Sequence, residues 1–127
     1  MNPDTPHVEY LGVRKRYGAS NWVVHHLDLS VRRGEFLTLL GPSGSGKTTC
    51  LMMLAGFELP DAGEIHINGA PVGELPPDKR GIGVVFQNYA LFPHMSVGAN
   101  LAFPLEVRGM AAQERLERVN RALALVR

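Results

Sequence analysis

Residues 41–49 read GPSGSGKTT, a run of glycines and small polar residues that ends on a lysine and two threonines. Glycine lets the backbone curl tightly with its amide groups pointing inward, where they can meet an anion at the positive end of a following helix. Lys47 would add a mobile positive charge, and the hydroxyl of Thr48 would bind a divalent cation. The spacing therefore predicts a loop that holds the phosphates of a nucleoside triphosphate together with magnesium. The predicted phosphate-binding residues are Gly41, Pro42, Ser43, Gly44, Ser45, Gly46, Lys47, Thr48 and Thr49.

The segments on either side of this loop have the patterns that such a loop needs. Residues 36–40, FLTLL, form a short apolar run between glycines, which predicts a strand buried on both faces of a parallel sheet. Residues 48–56, TTCLMMLAG, have the composition of a helix of two to three turns that stops at Gly56. The alternative is a glycine-rich turn with an exposed lysine, which would need neither the strand nor the helix.

Other segments predict further strands. Residues 8–13 and 22–31 alternate loosely between apolar and polar, so we expect two half-exposed strands, joined by a turn at residues 18–21, in an antiparallel flap. Residues 63–69, GEIHING, predict a strand closed by an Asn-Gly turn that extends the sheet or the flap. Residues 81–86, GIGVVF, predict a second strand of the buried type.

Two helices are predicted near the C-terminus. Ser96 can cap a helix over residues 97–105, which Pro104 would bend or end, and Ala99 does not complete a capping box with Ser96. The final segment, residues 115–127, places apolar residues three and four positions apart, which predicts an amphipathic helix with no stop signal after it. Its apolar positions are Leu116, Val119, Leu123 and Val126.

Composition limits the size and the partners of the chain. Its 127 residues, 45% of them hydrophobic, suffice for one domain but not for two. The net charge of +1 offers no basic field for nucleic acid, so we expect no nucleic-acid partner. Cys50, the single cysteine, fits a reducing compartment and buried packing inside the predicted helix. No apolar run approaches the roughly 18 residues of a membrane span, so membrane association would run through other proteins.

Residues 84–103, VVFQNYALFPHMSVGANLAF, resemble the glutamine loop and the following helix of ABC-transporter ATPase subunits. With GEFLTLLGPSGSGKTT and DAGEIHING, the resemblance runs from about Val8 to Arg127 and is strongest to importer subunits for polyamines, iron, sulfate or sugars. It implies an α/β fold with a P-loop NTPase-type parallel sheet and an N-terminal antiparallel flap. The flap and Walker A core would occupy about residues 8–87, and the start of a helical subdomain about 88–127.

The resemblance also implies ligands and residue roles. The ligands would be ATP and Mg²⁺, with Lys47 and Gln87 in the catalytic machinery and Thr48 and Gln87 at the metal. Gln87 would reach magnesium and the attacking water through its amide oxygen. Tyr17 would stack on adenine, although the alternative of an aromatic side chain packed within the flap stays open.

Partners follow from the same resemblance. Asn88 to Val97 would form the surface on which a membrane permease's coupling helix sits, contacted by Tyr89, Leu91, Phe92 and Met95. Alternatively, these four residues pack internally against the helix after Ser96. A second ATPase subunit would join in a head-to-tail dimer, a solute-binding protein would act indirectly, and the protein would sit at the cytoplasmic face of the membrane.

The family's aspartate-glutamate strand, signature segment and switch histidine are not found in the sequence. The resemblance places the aspartate strand beside the loop strand, so we expect an N-terminal portion with an incomplete core that folds poorly alone and binds ATP without turnover. Two other interpretations remain: a soluble, non-transport ABC ATPase, or a truncated non-functional remnant. The segment NLAFPLEVRG is closest to polyamine-type importers.

Overall fold

The computed structural model describes residues 5–19 and 21–126, which fall into two compact units, one ending at Val84 and the other beginning at Val85. The elements of the first are β1 (Val8–Tyr17), β2 (Asn21–Val31), α1 (Lys47–Ala55), β3 (Ala62–Ile67), β4 (Ala70–Pro71) and a 3₁₀ turn (Pro77–Lys79). Those of the second are α2 (Val97–Val107) and α3 (Ala112–Leu125).

The four strands form one antiparallel sheet in the order β2-β1-β3-β4. Val8 on β1 lies opposite Val31 on one side and Ile67 on the other, so β1 is central. This sheet confirms the predicted flap and shows that the strand after α1 belongs to it. Asn68 and Gly69 have φ values of 53° and 79°, the left-handed geometry that a two-residue hairpin turn requires. Part of the predicted turn at 18–21 lies outside the described residues, at position 20.

The core of the first unit lies between this sheet and α1. Cys50 and Met53 of α1 are buried against the sheet, which confirms the buried packing predicted for the cysteine. The hydroxyl of Tyr10 on β1 donates a hydrogen bond of 3.0 Å to the carbonyl of Cys50, and burial raises the pKa of Tyr10 well above its usual range. The core residues are Val8, Tyr10, Val13, Val24, Cys50, Met53, Ile65, Ile67 and Val72.

The strands predicted at residues 36–40 and 81–86 are absent, which corrects that part of the sequence analysis. Leu39 and Ile82 pack against the core, but Phe36 and Leu40 are 92% and 88% exposed. Leu39 is thus the one residue of this run that packs against the core. A strand also needs hydrogen-bonded neighbours, and in the described ranges no segment pairs with either run. The α/β class is confirmed, with the antiparallel flap in place and the parallel strands missing.

The second unit contains the two predicted helices, which contact each other. The hydroxyl of Ser96 accepts a hydrogen bond of 3.1 Å from the amide of Ala99, which confirms the predicted cap. α2 continues for three residues past Pro104, so the proline does not end it. Val119 of α3 is buried, whereas Leu116 is 55% exposed. Among the described residues, no helix has the length and apolar character needed to cross a membrane.

Candidate nucleotide-binding site

The predicted phosphate loop leads directly into α1, whose first residue is Lys47. Gly46 occupies the N-cap position in left-handed geometry, and no side chain caps the helix. The first amide groups of a helix have no partner within it, and they lie at the positive end of the helix dipole. The start of α1 therefore presents uncapped donors where an anion can bind.

Glycine is required in this loop by the space available as well as by the backbone geometry. A Cβ atom on Gly46 would lie 2.9 Å from the carbonyl oxygen of Val23, and one on Gly41 would lie 2.7 Å from Oγ of Ser45. Gly44 has a φ of 80°, which L side chains rarely adopt. The left-handed backbone at Gly44 and Gly46 curls the chain into a cradle before α1, and this curl fits a bound phosphate group.

Lys47 lies across the loop. Its Nζ donates hydrogen bonds to the carbonyl oxygens of Gly41 and Pro42, at 2.7 and 2.6 Å, and to Oγ of Ser45 at 2.9 Å. All three partners are neutral oxygens, which negatively charged phosphate oxygens can replace in a stronger, charge-assisted bond. Thr48 follows on the first turn of α1 and is not fully buried, so its hydroxyl has the chemistry and the access that a magnesium ligand needs.

Tyr17 ends β1 and is 50% exposed. The Nζ of Lys15 lies 5.3 Å from the centre of its ring. That lysine is itself held by the carbonyl of Leu59 at 2.8 Å and by Glu58 at 3.4 Å. Tyr17 is not part of the buried core of the flap, and its exposed surface leaves room for a flat aromatic ligand to stack.

Gln87 lies in the second unit at the start of a turn over residues 87–90. The amide of Tyr89 donates a hydrogen bond of 2.9 Å to the carbonyl of Phe86 in this turn. Tyr89 and Ala90 have φ values of 62° and 49°. Left-handed geometry is costly for residues other than glycine, and such residues concentrate at functional sites.

The four residues predicted to contact a permease differ in exposure, so some fit a contact surface and others fit internal packing. Tyr89 and Leu91 are 75% and 67% exposed, as expected of a contact surface. Phe92 instead packs edge to face on Phe103 of α2, with 4.8 Å between ring centres, as the internal alternative requires. Met95 is half-buried.

Two residues that were not predicted from the sequence, Asn100 and Arg80, hold the segment at 92–96 and the end of α1 by hydrogen bonds. The side chain of Asn100 accepts a hydrogen bond of 2.9 Å from the amide of Phe92 and donates to the carbonyl oxygens of Phe92, Met95 and Ser96 at 3.0 to 3.2 Å. Arg80 is buried and bonds to the end of α1. The neighbouring sequence indicates neither role, because a polar residue in a helix or after a turn is ordinarily expected at the surface.

Comparisons with known proteins agree with this geometry. The family model described as "ABC transporter" matches residues 24–127. The chain is 52% identical over 122 residues to the spermidine/putrescine import ATP-binding protein PotA of Pseudomonas aeruginosa, covering 96% of this chain and 33% of that protein. It is 50% identical over 114 residues to the sn-glycerol-3-phosphate import ATP-binding protein UgpC of Cupriavidus necator, covering 90% and 31%. The chain thus spans about a third of the length of the curated relatives it matches.

Solved structures of ATP-binding cassettes have the same fold. A dimeric, post-hydrolysis structure of the ATP-binding cassette MJ0796, bound to ADP and Pi, superposes with a TM-score of 0.81 at 29% identity, over 92% of this chain and 56% of that one. A bacterial Atm1-family ABC exporter with ATP bound gives 0.71 at 28% identity, over 81% and 18%. The resemblance that the sequence motifs indicated is confirmed, and the chain belongs to the ABC transporter family.

Proposed function

We propose that this chain forms the phosphate-binding part of an ATP-hydrolysing subunit of an ABC importer. The observation that carries the proposal is the glycine cradle at the uncapped start of α1, with Lys47 lying across it. A triphosphate needs backbone donors for its oxygens and a mobile cation near its terminal groups, and the loop supplies both.

Each predicted residue then has a task. The amides from Gly44 to Thr48 bind phosphate oxygens, and Lys47 exchanges its loop carbonyls for the terminal phosphates. Thr48 and Gln87 supply the oxygen ligands for magnesium, which when bound neutralises phosphate charge and organises the triphosphate. Gln87 also orients the attacking water, and Tyr17 stacks on adenine through its exposed ring.

The importer class and its cargo are proposed from the relatives. Both curated relatives are import ATP-binding proteins, and the 52% identity to the spermidine/putrescine protein favours a polyamine-type cargo. The preference for this cargo is small, because the identity to the glycerol-3-phosphate protein is nearly the same, at 50%. The subunit would lie at the cytoplasmic face of the membrane, contact a permease through Tyr89 and Leu91, and receive cargo indirectly from a solute-binding protein.

A second ATPase subunit would complete each nucleotide site. MJ0796 is dimeric in two matching structures, one of them bound to ADP and Pi. We propose a head-to-tail pair in which the phosphate loop of one copy faces residues of the other.

The decisive test is magnesium-dependent ATP hydrolysis by the protein expressed from its complete reading frame. Lys47→Ala should abolish hydrolysis and weaken ATP binding, because the loop then loses its mobile cation. Lys79→Ala is the matched control, since Lys79 is exposed in the 3₁₀ turn and should leave both unchanged. Equal hydrolysis by the Lys47→Ala protein and the wild type would refute the assignment of the phosphate loop.

The cargo needs a separate experiment. Uptake of labelled spermidine by cells with and without the gene would test it.

A further inference from the structure

Arg80 is 6% exposed, and no other charged residue in the described part of the chain is as deeply buried. Its Nη1 donates hydrogen bonds to the carbonyl oxygens of Met53 and Leu54, at 2.8 and 3.0 Å. Its Nε donates a hydrogen bond of 2.9 Å to the carbonyl oxygen of Leu75. Burial lowers the pKa of the guanidinium. A buried charge is costly unless its donors are satisfied, so this side chain is held in place by backbone carbonyls rather than by a carboxylate.

Two of these carbonyls belong to the last residues of α1, where helix carbonyls have no partner within the helix. A cation at this end also complements the negative end of the helix dipole. The contact is close, because a Cβ atom on Gly56, the residue after the helix, would lie 2.6 Å from Nε of Arg80. Arg80 therefore caps the C-terminal end of α1.

The opposite end of the same helix is the phosphate loop. α1 has nine residues, so the two ends are about 13 Å apart at 1.5 Å per residue. A helix this short is not stable by itself and keeps its place only through contacts at its sides and ends. A shift at the capped end would move the amides that receive phosphate.

We infer that Arg80 is a positioning residue for the phosphate loop: by anchoring the C-terminal end of α1 to the chain at Leu75, it orients the helix start for the triphosphate. The inference rests on the proposed function, since it requires ATP to bind at that loop.

The test compares Arg80→Met with Ile67→Ala in the protein expressed from its complete reading frame, using titration with fluorescent ATP under conditions where each variant is folded. Ile67 is buried in β3 and its side chain has no hydrogen-bonding group, so its truncation lowers stability without uncapping the helix. We expect Arg80→Met to weaken ATP binding about tenfold, as loss of a charged cap implies, and Ile67→Ala to leave it unchanged. Unchanged affinity in Arg80→Met, or equal losses in both variants, would overturn the inference.

Chemical rescue separates positioning from general stability. A cavity of about 310 Å³ lies beside Arg80, so Arg80→Ala should admit methylguanidinium at concentrations far below those that denature proteins. Methylguanidinium should restore ATP affinity to Arg80→Ala, and an equal concentration of methylammonium should not, because only the planar ion can bond to several carbonyls at once. Absence of rescue would count against the inference.

If Arg80→Met does not fold, Arg80→Lys decides. Lysine keeps the charge but not the fork of donors, so Arg80→Lys should bind ATP more weakly than the wild type does. Wild-type affinity in Arg80→Lys would overturn the inference. A wild-type protein that binds no ATP would refute the proposed function instead, which keeps the two failures distinct.

Discussion

Single residues decide whether the phosphate loop can form. Gly46 is the sharpest case, because its left-handed geometry and the nearby carbonyl of Val23 both exclude a side chain. Lys47 bonds to three loop oxygens, so it is held at the loop before any ligand arrives. At this scale the proposed function depends on the missing side chain of Gly46 and on the length of the Lys47 side chain.

Gly46→Ala should therefore damage both stability and binding. We expect a loss of about 1–3 kcal/mol in the free energy of unfolding, and about a tenfold weaker affinity for ATP, because the new methyl group must displace the strand carbonyl or the loop. Gly98→Ala is the control, since Gly98 lies in α2, where an added methyl group would meet no atom within 4 Å and should stabilise by about 0.5–1 kcal/mol. Urea unfolding and ATP titration measure the two effects, and a neutral Gly46→Ala would contradict the expected clash.

Asp28 should make the flap sensitive to acid. The amide of Gly12, 2.6 Å from Oδ1, and then His26, 2.7 Å from Oδ2, lower the pKa of Asp28 below its ordinary value of 3.8. Because the folded-state pKa is the lower one, the carboxylate stabilises the fold above pH 3.8, and this contribution disappears as pH falls through the folded-state value.

Asp28→Asn should accordingly be less stable than the wild type near neutral pH, with a difference that shrinks as pH drops below 3.8. Urea unfolding at a series of pH values measures this, with Asp78→Asn in the exposed 3₁₀ turn as the control. A difference that stays constant across the acid range would show that the charge of Asp28 has no part in it.

At the scale of elements, three side chains hold strands, loops and helices together through hydrogen bonds to backbone atoms. Arg80 reaches the end of α1, and Asn100 on α2 holds the segment at residues 92–96. Tyr10 links β1 to α1 in the same way, through the carbonyl of Cys50. Each of these contacts joins a side chain to backbone atoms of another element, so the elements are positioned by polar bonds as well as by the apolar core.

Asn100→Ala should loosen the segment that carries the proposed permease contact. The amide of Phe92 loses its acceptor, so its hydrogen exchange should accelerate strongly, and the free energy of unfolding should fall by about 1–3 kcal/mol. Asn120→Ala, on the exposed face of α3, should change neither the hydrogen exchange of the Phe92 amide nor the free energy of unfolding. Hydrogen exchange followed by mass spectrometry or NMR measures this, and unchanged protection at Phe92 would disprove the role of Asn100.

At the scale of the whole molecule, the described residues leave much apolar surface on the segment before the phosphate loop. Phe36 and Leu40 are almost fully exposed, while Leu39, between them in the same run, packs on the core. Leu37, which would share the face of Leu39 in an extended chain, is itself 43% exposed, so most of this run is uncovered. The relatives are about three times as long as the part matched by this chain, so further chain in a protein of that length can cover it.

Leu40→Lys tests this interpretation in two backgrounds. In the 127-residue chain it should cost little stability, because Leu40 is already exposed. In a chimera completed with the remaining part of the Pseudomonas aeruginosa relative, we expect a loss of several kcal/mol, since the added chain would cover this face and bury an unpaired charge. Urea unfolding measures both, and equal small effects would mean that this face stays open.

Local patterns were enough to predict the flap strands, the cap at Ser96 and the glycine-bounded helix α1, because each depends on residues only a few positions apart. Phosphate binding by the loop before α1 stays a prediction. The family followed from the same motifs. Only the tertiary structure showed that Leu39 is the covered residue of the run 36–40 and which oxygens Lys47 contacts. It was also needed to identify the contacts of Arg80 and Asn100. Arg80 and Met53 are 27 positions apart, and the acceptors of Arg80 are backbone carbonyls, which every residue possesses. Such a contact leaves no mark in the sequence, because only the folded chain brings that carbonyl within reach.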